Sequence, residues 1–351
     1  MAPAEELLMA DKPAQQPFDD IRRIVDALPG PDENAVAIVR ERNAQLTKPL
    51  GSLGRLEWIA EWLAAWQGKA PPAVDRPLVC VFAGSHGVAA RGVSAFPSSV
   101  NHQMLANFAA GGAAINQICT AQGLGFKVFD LAIDMPTKDF VEEPAMDEKS
   151  CVATMAFGME AVASGTDLLA IGELGIGNTT SAAAIFAALY GGEPAFWVGH
   201  GTGVDEKGYA RKIGAVEAAL KQHRDLLHDP LEVLRCFGGR ETAAMAGAII
   251  AARTQKIPVV IDGYVATSAA AVLHSLDPSS IDHCIAGHLS GDGAHREVLE
   301  RIGKVPLLAL GMRLGEGTGA ALAAGIVKTA ALLHSGMATF SQAGVSERDE
   351  S

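Results

Sequence analysis

From Pro77 onward, short continuous apolar runs closed by glycine or polar residues alternate with longer stretches of helical spacing. The runs are Leu78–Phe82, Lys127–Ala132, Leu168–Ile171, Ala195–Val198, Pro258–Ile261, Cys284–Ala286 and Pro306–Leu310. This alternation predicts βα units. Because the hydrophobicity is continuous and does not skip every second residue, each strand is expected to be covered on both faces. The expected fold class is therefore α/β, a mainly parallel, Rossmann-like sheet of about six strands flanked by helices. Each run opens into a glycine-rich or polar segment: AGSHG, IDMP, GELGIGN, GHGTG, DGY, GHLSGDG and GMRLGEG. Ligands of parallel sheets bind outside the carboxyl ends of the strands, so these segments are expected to face one crevice.

The chain before Pro77 has a different texture. Residues 1–19 are rich in Pro, Gln and acids and read as a disordered tail. Residues 20–75 read as a helical segment in which Asp19–Leu28 and Asp32–Gln45 each open on an aspartate able to cap a helix. A turn at Lys48-Pro49-Leu50-Gly51 then precedes a helix carrying Trp58, Trp62 and Trp66 at four-residue intervals, a stripe to be buried against the core or a subunit partner. Residues 76–340 contain no long-period repeat or linker and read as one α/β catalytic domain, with 341–351 as a C-terminal tail. A smaller helical subdomain is expected from the N-terminal segment, to which C-terminal residues could add.

Composition narrows the function classes. With 28 Lys+Arg against 40 Asp+Glu, the net charge of −12 disfavours nucleic acid and anionic membranes as partners, since no basic stripe offsets it. An anionic small molecule remains compatible, because local N–H groups and one lysine outweigh a distant field. No apolar segment reaches the roughly 18 residues of a membrane span. The start, MAPAEELLMADK, carries acids where a signal peptide needs bases, so a cytoplasmic protein is expected. Cys80, Cys119, Cys151, Cys236 and Cys284 are scattered, without a CxxC pair or zinc spacing, and are expected to be reduced and buried, with no metal site. Frequent alanines and 38 glycines suggest close helix packing.

Two motifs place a carboxylate where a strand gives way to glycines. In GMRLGEGTGAALA, Glu316 lies between Gly315 and Gly317 ahead of an alanine-rich helix. In GELGIGNTTSAAA, Glu173 and Leu174 precede Gly175, Gly177 and Asn178 at a helix start. Glycine lets backbone approach a ligand, and helix-start N–H groups attract anions, so both turns suit a phosphate; a carboxylate inside them suits chemistry. GHGTG is followed by Lys212, able to reach a phosphate or to sit solvated on a helix, and HLSGDG offers Ser290 and Gly291. His86 and His288 could act as acids or bases or be hydrogen-bonded in place. Walker A, HExxH, GxSxG and EF-hand patterns are missing from the sequence.

Taken in order, LTKPLGSLGRLE (46–57), AGSHGV with GVSAFPSSVNHQM (83–104), FAAGGAAINQ (108–117), GELGIGNTTSAAA (172–184), GHGTGV with ARKI (199–213), IDGYVATSAA (261–270) and MRLGEGTGAALA (312–323) resemble the nicotinate-nucleotide–dimethylbenzimidazole phosphoribosyltransferases, which make the lower-ligand nucleotide of cobalamin. The resemblance implies transfer of a 5-phosphoribosyl group from nicotinate mononucleotide to 5,6-dimethylbenzimidazole, with inversion at the anomeric carbon, and no cofactor or metal. It implies Glu316 as the base and Glu173 as a second active-site carboxylate. It assigns phosphate and ribose to Gly175, Gly177, Asn178, Lys212, Ser290, Gly291, Gly315 and Gly317. It assigns the ring slot to Phe96, Met104 and Leu174, with Met312 near. A homodimer is also implied. Ser85 stands where many relatives have Asp or Asn, so the resemblance assigns that side chain no role; apolar Phe96 and Met104 stand where some have polar residues, which implies tolerance of other azoles and weak use of phenols.

Two other readings compete. A nucleotide-dependent oxidoreductase would explain the glycine-rich turns, but the GxGxxG fingerprint with its later acid is not met cleanly. A non-catalytic binder of an aromatic base would use Glu316 only as a hydrogen-bond acceptor. Transferases that use PRPP are excluded by the lack of paired acids ahead of a TGGT-like loop.

Overall fold

Five strands form in the computed structural model, which describes residues 16–162 and 164–346: β1 (Pro77–Ala83), β2 (Gly125–Asp130), β3 (Leu168–Leu174), β4 (Val259–Ile261) and β5 (Cys284–Ala286). All pair in parallel, in the order β2-β1-β3-β4-β5. The order reverses between β1 and β3, so loops leaving these neighbours diverge and open a crevice. On β1, Leu78, Cys80 and Phe82 join the apolar cluster on one face of the sheet, while Val79 and Val81 join the cluster on the other. Each such side chain gains about 1.5–3 kcal/mol from burial, and two-sided burial explains the unbroken apolar runs of β1, β3, β4 and β5, whereas β2, at the sheet edge, has no fully buried residue and corrects the expectation of cover on both faces.

Two of the seven expected strands are corrected. Ala195–Val198 lies almost wholly in a short helix, Pro194–Trp197, because Pro194 fixes the first helical φ and Trp197 Nε1 donates to the Gly191 carbonyl at 2.8 Å. Pro306–Leu310 makes only a bridge between Leu308 and His288. Its Leu307 and Leu308 N–H groups bond Ala286 and Gly287 carbonyls at 3.0 Å, but Pro306 has no N–H and Arg55 takes its carbonyl, which stops a ladder.

The expected tail also ends earlier than residue 19. A helix, Pro17–Asp26, buries Phe18, Ile21 and Val25 in the main core, whereas residues 1–15 of that tail lie outside the described residues. Asp19 is not its first cap; it lies within the first turn and accepts the Gln16 N–H at 3.0 Å. The second helix, Glu33–Gln45, is capped by Asp32, which accepts the Ala35 N–H at 2.9 Å. Within LTKPLGSLGRLE, Glu57 gathers Lys48 Nζ, Asn43 Nδ2 and the Leu53 N–H, a clasp that sets the entry to the Arg55–Gln67 helix.

That helix buries Trp62 and Trp66, but Trp58 is 46% exposed. Four-residue steps drift about 40° on a helix, so the stripe runs out of the core. Trp66 lies under the Arg253 guanidinium, 4.3 Å from its ring centroid. The C-terminal segment packs beside these helices: Leu46 bridges Thr339, and Thr47 N–H bonds the Ala338 carbonyl at 3.0 Å. The short helix Phe340–Ala343 ends it; residues 347–351 of the expected tail lie outside the described residues.

Small residues bring helices together where the sequence suggested. A Cβ on Gly158 or Gly247 would sit 1.9 Å from a carbonyl of the facing helix, which only glycine permits. All five cysteines are buried and free, their thiols inert within the core. No helix among the described residues is long and apolar enough to cross a membrane.

Candidate active site

Glu173 is the penultimate residue of β3, where the strand delivers it into the crevice. Its Oε2 accepts a short hydrogen bond from Asn178 Nδ2, the first residue of the next helix, Asn178–Tyr190. Glu316 sits on a turn that rests on the same strand, its N–H bonding the Glu173 carbonyl at 3.1 Å. The turn fits because position 172 is glycine: a Cβ there would lie 2.2 Å from the Gly317 nitrogen. Glu316 itself adopts φ 63°, flanked by Gly315 at 86° and Gly317 at 76°. A side chain in the left-handed region costs about 1–3 kcal/mol and persists where the surroundings over-determine it. Here the strand below and the helix Thr318–Gly336 beyond do so.

These carboxylates open on a cavity of about 290 Å³. One side is an apolar slot of Phe96, Val100, Met104, Leu174, Ile176, Val265 and Leu314, which suits a flat ring. The polar wall holds Glu173, Glu316, Asp262, His288, Asn178, Thr179, Ser290, Asp292 and Arg313. Burial pushes Glu173 up to about 8, helped by the charges of Asp262 and Glu241 and opposed by the Asn178 amide. At neutral pH it is mostly protonated. Burial also raises Glu316; the Ile115 N–H works against this and Asp262 adds to it. The Oε2 of Glu316 is buried with no hydrogen-bond partner among the described residues. Asp262, raised by its own burial, is held down by His288 and by N–H groups of Ala320, Gly319 and Gly317.

Beside the slot, three loops knit together. Lys212, on the helix Glu206–His223, is fully buried and donates to Thr179 Oγ1 at 2.8 Å. Burial lowers its ammonium to about 8, and Asp292 opposes this. Asp292 accepts the Gly201 N–H at 3.0 Å, and Arg313 Nη1 donates to the Gly201 carbonyl at 2.8 Å. Gly291 N–H bonds the Met312 carbonyl at 2.9 Å. Among the described residues no group of three or more His, Cys, Asp or Glu is arranged to hold a metal ion.

A ring slot, a facing carboxyl with an open oxygen, and glycine loops beside a lysine suit transfer of a phosphorylated sugar to a planar base. A family profile described as Phosphoribosyltransferase matches residues 28–345. Nicotinate-nucleotide–dimethylbenzimidazole phosphoribosyltransferase of Rhizobium meliloti (strain 1021) is 66% identical over 333 residues, 95% of this chain and 98% of its own. The chain belongs to the nicotinate-nucleotide–dimethylbenzimidazole phosphoribosyltransferase family. The enzyme of that name from Agrobacterium fabrum (strain C58 / ATCC 33970) is 64% identical, over 95% of this chain and 96% of its own. The crystal structure of CobT from Thermus thermophilus superposes with a TM-score of 0.83 at 42% identity, covering 90% of this chain and 100% of that one.

The site residues that the phosphoribosyltransferase resemblance picked out divide in two. Glu173, Leu174, Gly175, Asn178, Ser290, Gly315, Glu316, Phe96 and Met104 line the cavity. Gly177, Lys212, Gly291, Met312 and Gly317 do not. Gly177, at φ 96°, starts the Asn178 helix against Ala89; Gly317 lies on Gly172. Lys212 stands behind Thr179, and Gly291 opens with Asp292 and Arg313 onto an adjoining recess. Ser85 faces elsewhere, donating to the Ile133 carbonyl at 2.7 Å and accepting from Asn101. His86 pairs with buried Glu241 at 2.8 Å, behind the cavity wall. Asp262 and Arg313 were not singled out by sequence. For Asp262 the signal was present: it is the first residue after the apolar run of β4.

Proposed function

We propose that this chain transfers the 5-phosphoribosyl group of nicotinate mononucleotide to 5,6-dimethylbenzimidazole, giving α-ribazole 5′-phosphate and nicotinate. The donor's ring nitrogen is a pyridinium. Its bond to the anomeric carbon breaks with both electrons passing to that nitrogen, so the ring departs neutral there and needs no general acid. The unprotonated nitrogen of the incoming base attacks from the opposite face, which inverts the β-glycosidic configuration to α. That base still carries an N–H on its other nitrogen, and the proton passes to the Glu316 carboxylate.

The observation that carries this reading is the unpartnered Glu316 Oε2 beside an apolar slot. Burial raises its basicity, opposed by the Ile115 N–H. Glu173, mostly neutral with a pKa of about 8, leaves Glu316 the only one of the two that needs to carry charge, a division of roles set by environment. Gly175, Asn178, Thr179 and Ser290 would hold the phosphate, with Lys212 behind Thr179 supplying the positive charge and Gly177 and Gly291 shaping the turns, while Phe96, Met104 and Leu174 sandwich the base. Their apolar walls support use of other azoles as well. The contacts between the N-terminal helices and residues 337–340 support a small helical subdomain. A homodimer and a cytoplasmic location complete the reading.

Glu316→Gln keeps size and loses the proton acceptor. Nicotinate release and α-ribazole phosphate formation should fall about 100-fold or more, the scale of general-base removal. Near-normal turnover would overturn the assignment.

A further inference from the structure

The start of the Thr318–Gly336 helix would ordinarily be the site for an anion, since its first N–H groups have no partner within the helix. Here the protein supplies the anion. Asp262, on the loop after β4, accepts the Ala320 N–H on its Oδ1 at 2.9 Å, and the nearby Gly319 and Gly317 N–H groups favour its charged form. Behind it stands His288, on the loop after β5, with Nε2 at 3.6 Å from Asp262 Oδ1. Both side chains are almost fully buried and both border the cavity. Glycines make room for them: a Cβ on Gly319 would lie 2.0 Å from the His288 ring, and one on Gly263 would lie 2.9 Å from its Nε2.

We infer that Asp262, backed by His288, is a positioning residue that fills the helix-start anion site and thereby locks the Glu316 turn with its carboxylate directed at the base. Gly317 is the residue after Glu316 and Ala320 lies one helical turn beyond Glu316, so Asp262 holds the far end of the strained turn through the Ala320 N–H while the Glu173 carbonyl grips it from the other side. With that helix start filled, the donor's phosphate is left to the other glycine loops and Lys212. The charged and titratable groups facing Glu316 are Glu173 from β3, Asp262 and His288 from their loops, and Asp292 and Arg313 at the rim, with Lys212, Glu241 and His86 behind.

This rests on the reading of Glu316 as proton acceptor, and a double-mutant cycle separates the two. Steady-state kinetics would be measured for Asp262→Ala, Asp262→Asn and Glu316→Gln, and for Asp262→Ala combined with Glu316→Gln. Asp262→Ala should lower kcat about 100-fold with KM for both substrates within about threefold, because the loss lies in the transition state. Asp262→Asn, which keeps one acceptor oxygen, should recover about tenfold of that. In the Glu316→Gln background Asp262→Ala should cost less than about twofold, since residues acting as a unit are not additive. An equal loss in both backgrounds, or a loss confined to KM, overturns the positioning role and leaves the base assignment standing. Near-normal Glu316→Gln turnover sinks the base assignment instead. Circular dichroism checks folding; if Asp262→Ala does not fold, Asp262→Asn and His288→Gln run the same cycle with the same criteria.

Discussion

Glu173 offers a direct test of the electrostatics because burial displaces its carboxyl from 4.5 to about 8. Between those values the native protein holds a proton that the unfolded chain has released. Stability must therefore fall as pH rises through this window and level off above it. The slope from this one group is at most about 1.4 kcal/mol per pH unit, and over the window it amounts to something on the order of 5 kcal/mol. Glu173→Gln mimics the protonated form and can still accept from Asn178. Urea unfolding of wild type and variant at half-unit steps from pH 5 to 9 isolates the term, because other titrating groups contribute to both proteins. The variant should gain on wild type steadily up to pH 8 and no further. Parallel stability curves would refute the assignment of a protonated Glu173, and with it the division of roles between the two glutamates.

Two further outcomes follow from the geometry. Gly172→Ala places a methyl 2.2 Å from the Gly317 nitrogen and should destabilise by about 1–3 kcal/mol, as overpacking does. Its urea midpoint should drop and turnover should fall with it; unchanged values would mean that the turn does not rest on β3. Lys212→Met should raise KM for nicotinate mononucleotide about tenfold or more, with kcat affected less. In the wild type, donor binding should weaken as pH rises through about 8, where the Lys212 ammonium loses its proton, and the variant should lack that inflection. Calorimetric titration across pH 6.5–9.5 checks both.

The strands and the two glutamates were legible because their signals are local. A continuous apolar run ending in glycine is read directly, and a carboxylate among glycines has little structural excuse. Ala195–Val198 misled because four apolar residues between turn signals fit one helical turn as well as a strand; Pro194 was the discriminating residue. Asp262 was missed as a site residue because its partners are backbone N–H groups and a histidine that arrive from later loops. Lys212 reads as a surface lysine on a helix, yet Thr179 and Asp292 draw its ammonium into the interior. Long-range partners of this kind leave no periodic trace.

The resting of the Glu316 turn on β3 also sets an order of events. Ribosomes deliver β1 and β3 well before residues 311–336, and domains assemble from the part already made. A chain lacking residues 311–336 lacks the proposed proton acceptor and leaves one face of the sheet without the helix that covers it. The proposed proton acceptor and the final wall of the core thus arrive together. With Glu316 in its proposed role, a nascent or truncated chain is expected to be inactive for the same reason that it is unfinished.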